Sequence, residues 1–286
     1  MKMRYAAILP LFFLLACSND QPATNNVDTT PKKDTTQVAD DEDMPESTLP
    51  SPLAVASMFK RSGLKYLPGL INTTDKAGTY STMFSRAENM GVYSSDMAYC
   101  VMNKQSNEGG QLLKVIRDLG KQINLGNVFD QGNLYDRFNK NLDNEDSLGK
   151  IIADIQFETD KELAKNDQND LYGVIFAGAW IEAMYVGCEV YKKDGNDDVV
   201  AALVEQMVVS RNIVTELKNY ETKDPSMPGL IKDMTDIRDA INAMPSMKKL
   251  DDDQDIDFKD VHPTKEELAP VIKKIEDLRN KMISNG

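Results

Sequence analysis

The sequence has few of the residues on which histidine-based and metal-based chemistry depends. Its 286 residues include one histidine (His262), one tryptophan and three cysteines. A single histidine excludes a histidine-rich metal site and argues against Ser-His or Cys-His catalysis, since both place imidazole beside other reactive groups. We therefore expect no cofactor, and we assign no catalytic and no metal-binding residues.

An excess of basic residues is also absent. The chain carries 33 Lys and Arg against 46 Asp and Glu, with a formal net charge of −13 and a pI near 4.7. Nucleic-acid binding needs clustered basic side chains that displace counterions from phosphates. We therefore expect no nucleic-acid partner and no adhesion to anionic lipid by charge, whereas a hydrophobic content of 41% suffices for a packed core.

The amino terminus has the pattern of a bacterial lipoprotein signal. Lys2 and Arg4 precede ten uncharged residues, too few to cross a bilayer that needs about 20. The sequence Leu14-Leu15-Ala16-Cys17 resembles the lipobox, in which the signal is cut before the cysteine and the thiol is acylated. The resemblance implies a signal peptide over 1–16 and attachment of lipid, such as palmitate, at Cys17. An ordinary signal peptide with a coincidental cysteine is the alternative.

Two or three acyl chains hold a protein firmly at a membrane that its chain does not cross. By resemblance to sorting signals of bacteria with two membranes, Ser18 favours the outer membrane, on its periplasmic or its surface face. Residues 17–50 contain eight acidic residues, two lysines and almost no large apolar residue. Such a segment cannot bury enough surface to offset its ordering entropy, so we predict a disordered tether.

From residue 51 onward the apolar residues recur at three- and four-residue steps, which predicts an all-α domain over 51–286. Short connections favour an antiparallel bundle or stacked helical hairpins. Asn144 starts one predicted helix, Asp197 is a candidate cap, and Thr264 with Glu267 has capping-box spacing before Pro270, which should bend or delay the helix. Further helices are predicted at 53–62, 80–90, 93–104, 111–123, 134–142 and 230–243.

The segment 171–191 is apolar enough to resemble a membrane span. Glu182 lies at its middle, however, and an acidic group at the bilayer centre costs about 2.5 to 3.5 kcal/mol. We therefore predict a buried central helix that packs on the preceding and following helices. Its strip of small residues, Ala179, Ala183 and Gly187, should let a neighbouring helix approach closely.

Three stretches carry a wider resemblance: 91–99 (GVYSSDMAY), 158–160 (ETD) and 177–185 (AGAWIEAMY). They resemble segments of uncharacterised, mainly helical lipoproteins of Bacteroidota-type bacteria, and the likeness extends over most of residues 51–220. The resemblance implies a lipid anchor and an all-α body. It implies no activity.

A buried carboxylate must be paired or protonated, which makes Glu182 the centre of the candidate sites. One interpretation is an interhelical pocket that binds a small ligand and is lined by Asp96, Tyr99, Glu158, Asp160, Trp180, Glu182 and Tyr185. The other, which we favour, is that each group is bonded to a neighbouring helix or reaches the surface.

Two acidic runs have partial calcium-loop spacing. In the run 251–260, Ile256 and His262 stand where an EF-hand needs Gly and Glu, and in the run 194–205 Val199 replaces the glycine. Solvated loops explain both runs better. Cys100 and Cys188 lie in apolar stretches, so two buried thiols are favoured over a disulfide.

These observations lead to one principal hypothesis and two alternatives. The principal one is a non-enzymatic, lipid-anchored envelope lipoprotein that binds or scaffolds a protein or small-molecule partner. The alternatives are an envelope enzyme that uses the carboxylates of Glu158 and Glu182, and a calcium-dependent structural module.

Overall fold

The computed structural model describes residues 49–252 and 257–284. The predicted signal peptide at 1–16, the lipid site at Cys17 and the predicted tether up to residue 48 lie outside these residues, as do residues 253–256 of the acidic run. Side chains are described up to residue 248 and again from 257. Leu49 is buried in the core, so the packed body includes residues just before the predicted boundary at 51.

The described residues form eleven α-helices and no strand, which confirms the all-α prediction. The helices are α1 (Pro52–Arg61), α2 (Met83–Met102), α3 (Ser106–Gln122), α4 (Gly126–Asp130), α5 (Leu134–Lys140), α6 (Glu145–Lys165), α7 (Asn169–Asp194), α8 (Asp197–Lys218), α9 (Met227–Ala243), α10 (Pro245–Asp252) and α11 (Lys265–Ser284). Helix α3 packs along α2, α8 packs along α7, and α11 lies against both α7 and α9.

Helices α2 and α7 cross at close range and form the centre of the fold. A methyl group placed on Gly91 would lie 1.9 Å from the carbonyl oxygen of Ile175, and one on Gly178 would lie 2.1 Å from the carbonyl oxygen of Glu88. Both distances are far below van der Waals contact. The crossing therefore requires glycine on each helix, because any side chain would push the two backbones apart.

This crossing corrects two predictions. The separate helices expected at 80–90 and 93–104 are one continuous helix, because Gly91 marks the contact with α7 and does not end a helix. The main neighbour of α7 is α2, which is distant in sequence, and not the preceding helix α6. Within the predicted strip, Ala179 meets Gly91 of α2, while Gly187 lies against Phe59 of α1.

Helix α7 is long and apolar enough, among the described residues, to cross a membrane by length and composition. However, 83% of its most apolar window is buried inside the fold. Trp180, Ile181 and Met184 have almost no exposed surface. The apolar character of the segment is thus explained by burial on most sides, and the prediction of a central core helix is confirmed.

Two predicted helix starts are confirmed by their caps. The Asn144 side chain accepts a hydrogen bond from the Ser147 backbone amide at 2.9 Å at the start of α6. At the start of α11, the Glu267 carboxylate accepts from the Thr264 amide at 2.7 Å, and Thr264 Oγ1 accepts from the Glu267 amide at 3.2 Å. These reciprocal bonds satisfy amides that would otherwise lack partners.

Two details of the predicted helix starts are wrong. Helix α11 begins at Lys265, next to the predicted start at Thr264, and contains Pro270, so of the two predicted effects of the proline, a bend or a delay, the delay does not occur. The cap of α8 is Asn196 and not Asp197, which is already helical. Asn196 has an extended backbone, and its side chain therefore reaches the Asp198 amide at 3.0 Å.

Candidate functional site

A buried ion pair joins α7 to α11 at the centre of the molecule. Arg279 donates from Nε to Glu182 Oε2 at 2.9 Å and from Nη2 to Glu182 Oε1 at 3.0 Å. The side chain of Glu182 is fully buried, and that of Arg279 is 9% exposed. The planar guanidinium meets the carboxylate with two parallel bonds, which is the geometry that best compensates the desolvation of both charges.

Asp96 of α2 extends this pair into a cluster of three buried ionisable side chains. Its Oδ2 accepts a hydrogen bond from the Asn72 backbone amide at 2.9 Å. Burial, followed by the charge of Glu182, raises the pKa of Asp96 well above its ordinary value. The raised pKa favours the protonated form of Asp96 beside the charged Glu182, and Asp96 Oδ1 has no hydrogen-bond partner within the described residues. The cluster then contains one carboxylate balanced by one guanidinium.

Two further residues of the predicted pocket lie around this cluster. The Arg279 guanidinium lies 4.4 Å from the ring centroid of Tyr185, a cation–π contact. The Tyr99 hydroxyl accepts from the Leu67 amide at 2.7 Å and donates to the Lys65 carbonyl at 3.2 Å. Tyr99 thus fixes the segment between α1 and α2 whose Leu70 carbonyl also binds Arg279.

The remaining predicted residues lie elsewhere, so the predicted seven-residue pocket is not formed. Trp180 donates from Nε1 to the Gln206 carbonyl of α8 at 3.1 Å. It precedes Glu182 by two residues, about 200° around the helix, and therefore faces another neighbour. Glu158 pairs with Lys161 at 3.3 Å near the surface of α6. Asp160 lines a small, mainly apolar cavity of about 60 Å³, where burial raises its pKa to about 7.

The enzyme hypothesis required Glu158 and Glu182 to face one solvent-connected pocket. Glu182 has no solvent contact and is bound to Arg279 on both oxygens. Glu158 is 19% exposed and lies on a different helix. This arrangement does not provide two carboxyls flanking one opening, as a glycosidase-type reaction needs.

Within the described part of the chain, Cys100, Cys188 and the acidic run 194–205 show no reactive arrangement. Cys100 and Cys188 are both buried and free, as predicted. Burial raises the pKa of Cys188 to about 12 and also raises that of Cys100, so neither thiol is activated. Within 49–252 and 257–284, no group of three or more His, Cys, Asp or Glu side chains could hold a metal ion. In the run 194–205, the Asn196 side chain caps α8.

A second site involves a residue that the sequence analysis did not single out. A cavity of about 450 Å³ opens where the first turns of α2 and α9 meet the last turns of α11. Glu88 of α2 lines it and is only 5% exposed. No hydrogen bond to its carboxylate is found within the described residues. The ion pair of Lys281 with Asp233, at 2.5 Å, lies in the same cavity wall.

The electrostatics of the cavity favour an uncharged Glu88. Burial, the largest cause, raises the pKa of Glu88 to about 8. Lys281 lowers this pKa, whereas Asp233 and Asp224 raise it. Glu88 is therefore mostly protonated at neutral pH, and the cavity contains a carboxylic acid without a charged partner in contact.

Replacing Glu88 by glutamine should remove a pH-dependent loss of stability. Because the folded-state pKa of Glu88 lies above its unfolded value, folding stability is full below about pH 4.5 and falls as pH rises through about 8. We expect urea denaturation to show that the free energy of unfolding of the wild type falls by roughly 1 kcal/mol per pH unit between pH 5 and 8, relative to that of Glu88→Gln. Glu221→Gln, at an exposed position, should run parallel to wild type. Equal pH profiles for wild type and Glu88→Gln would contradict the burial of an unpaired carboxyl.

The sequence does contain a signal for both residues that were missed. Arg279 follows Ile275 by four residues and precedes Met282 by three, so it lies on the apolar stripe of α11. Glu88 follows Phe84 by four residues and precedes Val92 by four, on a buried face of α2. A charged residue in phase with an apolar stripe indicates burial. The apolar spacing does not indicate which residue pairs with that buried charge.

No family model, curated protein or solved structure matches this chain. The resemblance of residues 91–99, 158–160 and 177–185 to Bacteroidota-type lipoproteins therefore stays a prediction. We infer function from the residues and contacts described above.

Proposed function

We propose that this protein is a lipid-anchored lipoprotein of the bacterial cell envelope, and that its helical body is a non-enzymatic binding or scaffolding module. The observation that carries the proposal is Leu14-Leu15-Ala16-Cys17 placed directly after a basic start and a short apolar run. Acylation of Cys17 would supply two or three chains, enough for stable membrane attachment without a spanning helix.

The sequence following Cys17 supports a body held away from the membrane. A flexible chain of the length of the predicted tether has an average span of roughly 30 Å. Its acidic residues would also be repelled by anionic headgroups. Ser18 supports the outer membrane, on its periplasmic or surface face, and the resemblance to Bacteroidota-type lipoproteins is consistent with this location.

The structure supports a binding role for the body more than a catalytic one. The most buried carboxylate, Glu182, is fully engaged by Arg279 and has no access to a substrate. The cavity beside Glu88 has a volume in the range of small-molecule sites. The body therefore offers a place for a ligand, whereas Glu158 and Glu182 do not face one opening.

Labelling with radioactive palmitate tests the anchor directly. We expect label on the full-length wild type and on Cys188→Ala, because Cys188 is buried and cannot be acylated. Cys17→Ala should incorporate no label and should leave the membrane fraction. The proposal is wrong if Cys17→Ala stays acylated and membrane-bound, or if the wild type is recovered as soluble protein that retains residues 1–16.

A further inference from the structure

The cavity between α2, α9 and α11 is lined by Glu88, an acid with no hydrogen-bonding side chain or amide beside it within the described residues. Glu88 is 5% exposed and lines the cavity, and its carboxylate receives no hydrogen bond from any described residue. Buried polar groups are normally hydrogen-bonded, and a buried carboxylate without a partner is costly. A carboxyl in this position is stabilised by protonation, by water in the cavity or by a bound molecule that supplies a donor.

The cation in the cavity wall, Lys281, is already engaged. Lys281 Nζ lies 2.5 Å from Asp233 Oδ2, and its side chain is 53% exposed. Its charge lowers the pKa of Glu88, yet this pKa remains far above that of an ordinary glutamate. Lys281 therefore acts on Glu88 at a distance and does not provide a contacting donor.

The two helix amino termini at this cavity do not favour an anion. In α2, Thr82 and Ser85 form a reciprocal capping box, with the Ser85 amide 2.9 Å from Thr82 Oγ1. In α9, the Gly229 and Leu230 amides bond to the Ser226 carbonyl. The Ser85, Gly229 and Leu230 amides are satisfied within the chain and do not call for a bound anion.

The walls beside Glu88 indicate the shape of that partner. Phe84, Leu230, Leu278 and Met282 line the cavity together with the acid and the ion pair. We propose that this cavity binds a small organic cation, with a primary ammonium held by Glu88 and Asp233 and a short apolar stem against these four side chains. An ammonium supplies both the opposite charge and the hydrogen-bond donors that Glu88 lacks.

The proposal rests on the assigned role as a binding module, and it does not depend on the lipid anchor. The two can therefore fail separately: palmitate labelling reports on Cys17, and ligand binding reports on Glu88. Binding of an ammonium would also lower the pKa of Glu88 and cause it to lose its proton, because the ionised carboxylate is the form that pairs with the cation. At neutral pH, the proton leaves Glu88 for the buffer while the ammonium remains charged.

Titration calorimetry on the purified full-length protein tests the proposal with three probes that share one stem. n-Butylammonium should bind saturably, whereas 1-butanol and butyrate should not. At pH 7 the heat should vary with the ionisation enthalpy of the buffer, which reports release of up to one proton per ammonium bound. Binding should tighten as pH rises from 6 to 9.

Variants identify the group responsible. Glu88→Gln should weaken n-butylammonium binding about tenfold or more and abolish proton release. The exposed control Glu221→Gln should leave both unchanged. The proposal is overturned if n-butylammonium does not saturate the wild type, if Glu88→Gln binds it equally well, or if butyrate is the probe that binds.

Discussion

Replacing Arg279 by methionine should destabilise the protein by about 3 to 5 kcal/mol, because a fully buried carboxylate would lose the cation that contacts both of its oxygens. Arg279 donates twice to Glu182, binds the Leu70 carbonyl at 3.3 Å and stacks on Tyr185. Methionine keeps much of the side-chain volume, so the loss should reflect charge and hydrogen bonds more than packing. Urea denaturation at neutral pH measures it.

A control lies two residues further along the same helix. Lys281 pairs with Asp233 near the surface, with side chains that are 53% and 28% exposed. We expect Lys281→Met to cost less than about 1 kcal/mol, because solvent screens an exposed pair. Adding Glu182→Gln to Arg279→Met should recover part of the lost stability, since no buried charge then remains unpaired. If Arg279→Met were as stable as Lys281→Met, the buried pair would contribute no more than a surface one.

Replacing Gly91 by alanine should destabilise the fold by about 4 kcal/mol or more, because the new methyl group would strike backbone atoms that cannot move independently. The added carbon would lie 1.9 Å from the Ile175 carbonyl oxygen and 2.8 Å from the Ala179 amide nitrogen. Gly178→Ala should behave similarly, with its carbon 2.1 Å from the Glu88 carbonyl oxygen. Thermal denaturation followed by circular dichroism measures both losses.

The matched control is Gly149→Ala in α6, where an added carbon meets no atom within 4 Å. Alanine is favoured over glycine in a helix interior, so this variant should be stabilised by up to about 1 kcal/mol. Because Gly91→Ala should lower stability and Gly149→Ala should raise it, the two variants distinguish a steric conflict from an effect of helix propensity. A Gly91→Ala protein as stable as wild type would show that α2 and α7 do not cross at the described distance.

The helices themselves could be predicted because their signals are local. Apolar spacing and the caps at Asn144 and Thr264 placed the starts of α6 and α11 correctly. Gly91 was misinterpreted as a helix end, because a glycine that breaks a helix and one that admits a neighbouring backbone look alike in sequence. The difference lies in the contact with α7, more than 80 residues away along the chain.

The sites were predicted less completely, because they too depend on contacts between residues that are distant in the sequence. Asp96, Glu182 and Tyr185 were correctly grouped in the sequence, but Arg279, which joins Glu182 and Tyr185, was not. Trp180 and Glu182 were assigned to one pocket although they face different helices. Helical phase tells which face a residue occupies. It does not tell which other helix covers that face.

The amino-acid sequence alone was sufficient to establish helical character, the burial of α7 and the acidic balance of the chain, because periodicity and composition are properties of short segments. Tertiary structure decided that Glu182 has Arg279 as its partner, 97 residues later, while no residue that the structure describes donates to Glu88. The physical reason is that pairing of buried charges depends on which helices meet. At the centre of this fold, that meeting depends on two glycines whose missing side chains let α2 and α7 touch.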